Sequence, residues 1–171
     1  MLDIKQYVRD VPDWPKQGVN FKDITPLLQD KDGFKEVIDK IAEPYLNQKI
    51  DVVVGIDARG FLLASAVAYK LGAGLAIVRK KGKLPRKTIA QEYALEYASN
   101  IIEMHEDAIK PGQKVLIVDD VLATGGTMEA TCNLVKKLGG EIVGISFLII
   151  LDFLKGEEKL KDYKIEELIR Y

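Results

Sequence analysis

The sequence predicts a single α/β domain: a mostly parallel, twisted sheet flanked by helices. Three observations lead there. Short continuous apolar runs, Val52 to Ile56 and Val115 to Val118, suit strands buried on both faces. Segments with apolar residues three and four apart alternate with these runs, so the strands need right-handed crossovers and pair in parallel. A chain of 171 residues has room for one core and little room for a second.

The elements follow in order. The first thirty residues hold Pro12, Pro15 and Pro26 and are expected to be irregular rather than helical. Gly33 to Leu46 is predicted as a helix. Phe34, Val37, Ile38, Ile41, Ala42 and Tyr45 share one face, and Pro44 marks the last turn. Val52 to Ile56 is a strand, Gly60 to Leu71 a helix stopped by Gly72, and Leu75 to Val78 a second strand. Lys80 to Arg86 is basic and turn-rich, and Thr88 to Tyr97 alternates weakly. Val115 to Val118 is a third buried strand, and Met128 to Leu138 a helix with Gly139 beyond its end. Ile142 to Leu151 is a fourth strand, and the charged tail from Lys155 to Tyr171 fits a helix and a short strand. In such a sheet, ligands bind beyond the carboxyl ends of the strands. The expected places are after Ile56, after Val78 and after Val118.

Composition sets bounds on function. Hydrophobic residues are 47% and charged residues 30%, with a net charge of -1, which is ordinary globular material without the positive excess of a nucleic-acid binder. The longest apolar stretch, Ile142 to Leu151, is about half the ~20 residues of a membrane helix. Met1 to Asp10 has no apolar signal core, and Cys132 has no second cysteine to pair with. These features lead us to expect a cytoplasmic protein that meets neither membrane nor nucleic acid. No GxxxxGK[ST] run is present, and Gly72-Ala73-Gly74 follows a helix and lacks a third glycine, so neither common nucleotide fingerprint applies.

The segment from Val115 to Thr127 carries the chemistry. Its apolar strand runs into Asp119 and Asp120, and a small turn, Ala123-Thr124-Gly125-Gly126-Thr127, opens a helix. The glycines let backbone N–H groups approach an anion, the helix adds its positive end, and the threonines add hydroxyls. This suits a phosphate monoester. Asp119 and Asp120 would repel that phosphate unless they accept from ribose hydroxyls or from waters on a Mg2+ ion. Arg59 follows a strand and a small turn, where a guanidinium either grips diphosphate oxygens or forms a surface ion pair. Arg79 and Lys80 also end a strand, whereas Lys81, Lys83, Arg86 and Lys87 read as a solvated loop. Phe21 lies between polar residues, placed either to stack on a flat base or to make a minor core contact. His105 has no neighbours that complete a metal motif, and Cys132 is expected to be a buried thiol.

The Val115–Thr127 segment resembles the phosphoribosyl pyrophosphate signature of the type I phosphoribosyltransferases. Four further stretches resemble the adenine-using branch of that family: Gly18 to Pro26 its base-binding hood, Asp57 to Phe61 its pyrophosphate loop, Val78 to Pro85 its basic loop, and Leu95-Glu96-Tyr97 its catalytic flap. The likeness runs from about Tyr7 to Leu151. It implies the family fold with a small N-terminal hood over about residues 1–30, and purine salvage chemistry, in which adenine and phosphoribosyl pyrophosphate give AMP and pyrophosphate. A relative using hypoxanthine, guanine or xanthine is the near alternative, and a regulator that senses phosphoribosyl pyrophosphate the more distant one.

The resemblance also implies roles. Glu96 is the acid–base residue. Asn20, Phe21 and Tyr97 belong to the base side, Arg59 and Lys80 to the diphosphate, and Arg79 either to the diphosphate or to a partner subunit of a homodimer. Asp119 and Asp120 contact ribose, and Ala123, Thr124, Gly125, Gly126 and Thr127 hold the 5-phosphate. Mg2+ is bound mainly through substrate and water near Asp119 and Asp120, with no direct protein ligand. Two positions depart from the family pattern. Asp57 stands where many members have glutamate, and Ala98 where glycine is common, which would stiffen the flap.

Overall fold

A computed structural model describes residues 3–94 and 99–171. Its main sheet has seven strands: β3 (Val52–Ile56), β4 (Gly74–Lys80), β5 (Thr88–Ala94), β6 (Ser99–His105), β7 (Lys114–Leu122), β8 (Glu141–Ile150) and β9 (Ile165–Arg170). They lie in the order β5-β6-β4-β3-β7-β8-β9. The pairs β3/β4, β3/β7, β7/β8 and β8/β9 are parallel, while β4/β6 and β5/β6 are antiparallel. The strand order reverses between β3 and β7, so the switch-point crevice lies beyond Ile56 and Val118.

Each face of the sheet has its own apolar core. Val54, Ile56, Ile117 and Phe147 point to one side, toward helix α4 (Gly126–Lys137). Val53, Leu116, Val118 and Leu148 point to the other, toward α2 (Lys31–Ala42) and α3 (Arg59–Leu71). This two-sided burial is why the central strands read as unbroken apolar runs. On α2, Val37, Ile38, Ile41 and Ala42 are buried, and Asp30 caps the helix by accepting from the backbone N–H groups of Asp32 and Gly33 at 3.1 and 2.7 Å. Gly72 ends α3 at φ +66°, a left-handed residue where a stop was expected. Gly144 of β8 lies under Tyr45, where a Cβ would come within 2.5 Å of the phenol oxygen.

The lead segment is a two-stranded hairpin, β1 (Arg9–Val11) and β2 (Phe21–Asp23), followed by a short helix α1 (Thr25–Gln29). Pro26 is in the first turn of α1, where its missing N–H costs nothing, so one of the three prolines starts a helix instead of preventing one. The peptides Trp14–Pro15 and Asp57–Ala58 are cis.

Two further differences from expectation stand out. Ser99–His105 forms a full strand that the sequence reading did not assign, since only Ile102 and Met104, on either side of Glu103, repeat on its buried apolar face, too short an alternation to mark a strand. The tail forms two 3-10 turns, Asp152–Leu154 and Gly156–Lys159, before β9, where a helix was expected. Lys155, at φ +52°, interrupts any helix there.

Candidate active site

The strand ends at the switch point open into a cavity of about 270 Å3. Ile56 to Arg59 line one wall, Asp119 to Met128 the other, and Phe147 closes the floor. Two of the three expected strand ends therefore meet there. The third, after Val78, is joined less directly, through the backbone N–H of Asp57 donating to the Val78 carbonyl at 3.0 Å.

The anion turn is shaped by its glycines. Gly125 has φ +79° and precedes the first turn of α4, so the helix N-terminus faces the cavity. Tyr93 reaches over from β5. Its hydroxyl lies 3.1 Å from Thr127 Oγ1, and its ring lies where a Cβ on Gly126 would be, at 3.1 Å. The sequence reading places Tyr93 only beside Glu96 in the flap; its contact with this turn has no local signal, because β5 approaches the turn only in the folded sheet.

The acid pair sits against one basic group. Asp119 Oδ1 accepts from the Asp120 backbone N–H at 2.9 Å. Burial, followed by the charge of Asp120, raises the pKa of Asp119 well above the usual carboxylate range. Burial also raises that of Asp120, and Arg59 opposes it. Arg59 Nη2 stands 2.6 Å from Asp120 Oδ2, yet that buried oxygen receives no directed hydrogen bond. A buried carboxylate oxygen held only by an ion pair to Arg59, beside a second carboxylate with a raised pKa, fits a hydrated divalent cation or ribose hydroxyls. Among the described residues no cluster of three or more His, Cys, Asp or Glu could hold a metal by itself, so a cation here would need ligands from substrate or water.

Arg59 joins two parts of the site. Its Nη1 donates to the Lys22 carbonyl at 3.0 Å, and its guanidinium carbon lies 4.5 Å from the centre of the Phe21 ring. Trp14 packs edge-on against the same ring, with centroids 4.4 Å apart. Phe21 and the exposed Asn20 thus lie at the hairpin side of the acid pair. Arg79 Nε donates to Asp57 Oδ2 at 3.0 Å, and Lys80 is exposed at the end of β4. The structure brings Phe21, Arg59, Asp119, Asp120 and the turn from Ala123 to Thr127 together, while Arg79 and Lys80 stand outside the cavity wall. Glu96 and Tyr97 lie outside the described residues, as does Ala98. His105 ends β6, and Cys132 is buried in α4.

Gly60 is a contributor that sequence reasoning missed. It is the second residue of α3, and a Cβ there would overlap Asp119 Oδ1. Gly156 is another, packed against the anion turn from the far side.

A parallel sheet whose switch point holds an anion turn, a carboxylate pair and a guanidinium defines an enzyme class that handles a sugar phosphate. The chain belongs to the phosphoribosyl transferase family, whose domain matches residues 23–169. Its relatives include an adenine phosphoribosyltransferase of Thermotoga maritima, 54% identical over 99% of this chain and 98% of that protein. Among solved structures, the adenine phosphoribosyltransferase of Rhodothermus marinus is 49% identical with a TM-score of 0.95, over 98% of this chain and 96% of that one. That of Saccharomyces cerevisiae, complexed with an imino-altritol bisphosphate and adenine, is 36% identical with a TM-score of 0.90, over 95% and 94%.

Proposed function

We infer that this chain is an adenine phosphoribosyltransferase, a pentosyltransferase that converts adenine and phosphoribosyl pyrophosphate to AMP and pyrophosphate. The observation that carries the reading is the junction of Phe21, Arg59 and Asp120, which sets an aromatic face beside the carboxylate pair that begins the phosphate turn. The yeast relative, solved with a bisphosphate and adenine together, takes both kinds of ligand, which supports the reading.

The reaction breaks the C1–O bond to diphosphate and forms a bond from adenine N9 to C1. Positive charge develops on the ribose as the diphosphate leaves, so the protein must align, neutralise and exclude water. In our reading, the backbone and hydroxyls from Ala123 to Thr127 hold the 5-phosphate. Asp119 and Asp120 accept from the ribose hydroxyls, which keeps C1 facing the base. Phe21 stacks on adenine, and backbone groups at Asn20 meet its edge. Arg59 and Lys80 meet the diphosphate, and Arg79 steadies Asp57 beside it. Glu96 takes the proton from N7 as N9 bonds to C1, and Tyr97 belongs to the substrate-binding set beside it. Mg2+, bound with the substrate near Asp119 and Asp120, would supply positive charge for the leaving diphosphate.

We propose a homodimer as well. Leu62 and Tyr69 on α3 are 48% and 90% exposed, and such large apolar groups on one helical face suit a covered surface. The single buried cysteine supports a reducing, cytoplasmic setting. Among the described residues no helix is long and apolar enough to cross a membrane.

The test is turnover with phosphoribosyl pyrophosphate, Mg2+ and each of adenine, hypoxanthine, guanine and xanthine. AMP from adenine alone is the expected result. Turnover of an oxopurine instead would move the specificity, and phosphoribosyl pyrophosphate binding without turnover would favour a sensor. Glu96→Gln should lower kcat far more than it raises the KM for phosphoribosyl pyrophosphate, and unchanged kcat would remove Glu96 from the mechanism.

A further inference from the structure

Arg170 and Tyr171 lie at the end of β9, far in sequence from both halves of the site, and each holds a different half. Arg170 meets three carboxylates. Its Nη1 donates to Asp152 Oδ1 and Glu157 Oε2, each at 2.7 Å, its Nη2 to Glu157 Oε1 at 2.9 Å, and its Nε to Glu167 Oε1 at 2.8 Å. Asp152 and Glu157 bracket the turn that carries Gly156. Gly156 is buried against the anion turn. A Cβ on Gly156 would overlap the Ala123 carbonyl oxygen, and one on Gly125 would overlap the Gly156 carbonyl oxygen. The two backbones are therefore in closest packing, and wherever Gly156 sits, the phosphate-binding N–H groups beside it must follow.

The Arg170 guanidinium is 39% exposed, so each ion pair alone is weak in water. Its fork still fixes direction. Two parallel bonds to Glu157 and a third to Asp152 hold the segment in one position, which a lysine could not do.

Tyr171 holds the other half. Its ring faces Lys22 Nζ at 3.7 Å, and Asp10 Oδ1 stands 2.5 Å from the same ammonium. Lys22 is only 9% exposed, a cation enclosed by a ring and a carboxylate. Its carbonyl is the acceptor that orients Arg59, and Phe21 precedes it on β2. The backbone of Tyr171 is itself pinned: its N–H donates to Ile150 at 3.0 Å, and its carbonyl accepts from Asp152 at 2.9 Å.

We propose that Arg170 and Tyr171 are positioning residues for the two substrates, Arg170 setting the phosphate turn through Asp152, Glu157 and Gly156, and Tyr171 setting the base side through Lys22. The proposal rests on the functional reading above and gives the charged tail a task that its composition does not reveal.

A tail that merely covered a sheet edge would affect both substrates alike, so the test is a split between them. Steady-state kinetics with Mg2+ are measured while each substrate is varied in turn. Arg170→Gln should raise the KM for phosphoribosyl pyrophosphate about tenfold and leave that for adenine within about twofold. Arg170→Lys, which keeps charge without the fork, should recover only part of the loss. Tyr171→Leu should raise the KM for adenine roughly fivefold and, because the Lys22 carbonyl also orients Arg59, raise that for phosphoribosyl pyrophosphate by clearly less, and Tyr171→Phe should behave as wild type because the ring face, not the hydroxyl, meets Lys22. If Arg170→Gln folds poorly, Glu157→Gln breaks the fork alone and should give the same split in phosphoribosyl pyrophosphate affinity by calorimetry. Parallel changes for both substrates, or no change, overturn the proposal. Wild-type protein that makes no AMP overturns the functional reading, and this one with it. Wild-type protein that does, with variants that fail to split, overturns this one alone.

Discussion

Gly60 and Asp119 approach so closely that a Cβ on Gly60 would overlap the Asp119 carboxylate. Asp119 Oδ1 is held in that place by the Asp120 backbone N–H, so it has little room to retreat. Helix α3 and the acid pair are thus fitted to each other through the absence of one carbon. Gly60→Ala should push the Asp119 side chain off its position and lower kcat/KM for phosphoribosyl pyrophosphate by on the order of a hundredfold, since misplacement by ~1 Å at a reacting centre is that costly. Unaltered kinetics in that variant would mean that Asp119 need not hold its observed rotamer.

Asp119 also carries a stability cost. Burial and the neighbouring Asp120 raise its folded pKa, while in the unfolded chain it returns to an ordinary ~3.9. Between those values the folded state binds more protons, so stability falls as pH rises through the window. Asp119→Asn removes the cost. At pH 7 the variant should melt a few degrees higher, about 2–4 °C for ~1 kcal/mol in a chain of this size, and the gain should vanish below the unfolded pKa. It should also lose activity, the usual exchange at a functional site. A lower melting temperature at pH 7 would show that the pair is stabilised in some other way.

Tyr93 links the antiparallel ribbon to the phosphate turn through Thr127. Removal of one hydroxyl bond costs ~1 kcal/mol, so Tyr93→Phe should raise the KM for phosphoribosyl pyrophosphate roughly fivefold with little change in kcat. Equal loss in kcat would instead place Tyr93 in the chemical step.

Cys132 should be inert in the folded protein. Its side chain is 1% exposed, and burial pushes the thiol pKa up to about 11. At pH 8 roughly one thiol in a thousand is then ionised, even before access is considered. Iodoacetamide should leave native protein unlabelled over an hour and label it fully in denaturant. Rapid native labelling would mean that α4 opens locally.

Much of the fold was legible because it is written in local patterns. The runs at Val52 and Val115 are continuous because their strands are covered on both faces, and Gly72 stops α3 because only a left-handed residue closes that turn comfortably. The strand Ser99–His105 was not legible. It is held by pairing to β4 and β5, as in Arg79 opposite Glu103, and its apolar alternation is only Ile102 and Met104, too short to mark a strand. The tail was misread for a related reason, because Lys155 at positive φ and the packing of Gly156 outweigh the helical preference of the charged residues around them.

The buried strands, the acid pair at a strand end and the glycine turn behind it are legible from residues adjacent in the chain. Only the folded chain puts Arg59 between Phe21 and Asp120, brings Tyr93 to Thr127, and leaves room at Gly60 and Gly156 on two sides of the site. It also lets Arg170 and Tyr171 reach both halves. Such contacts join residues far apart in the chain, and their strength depends on distance and direction after the sheet has formed, quantities that no local spacing of residues encodes.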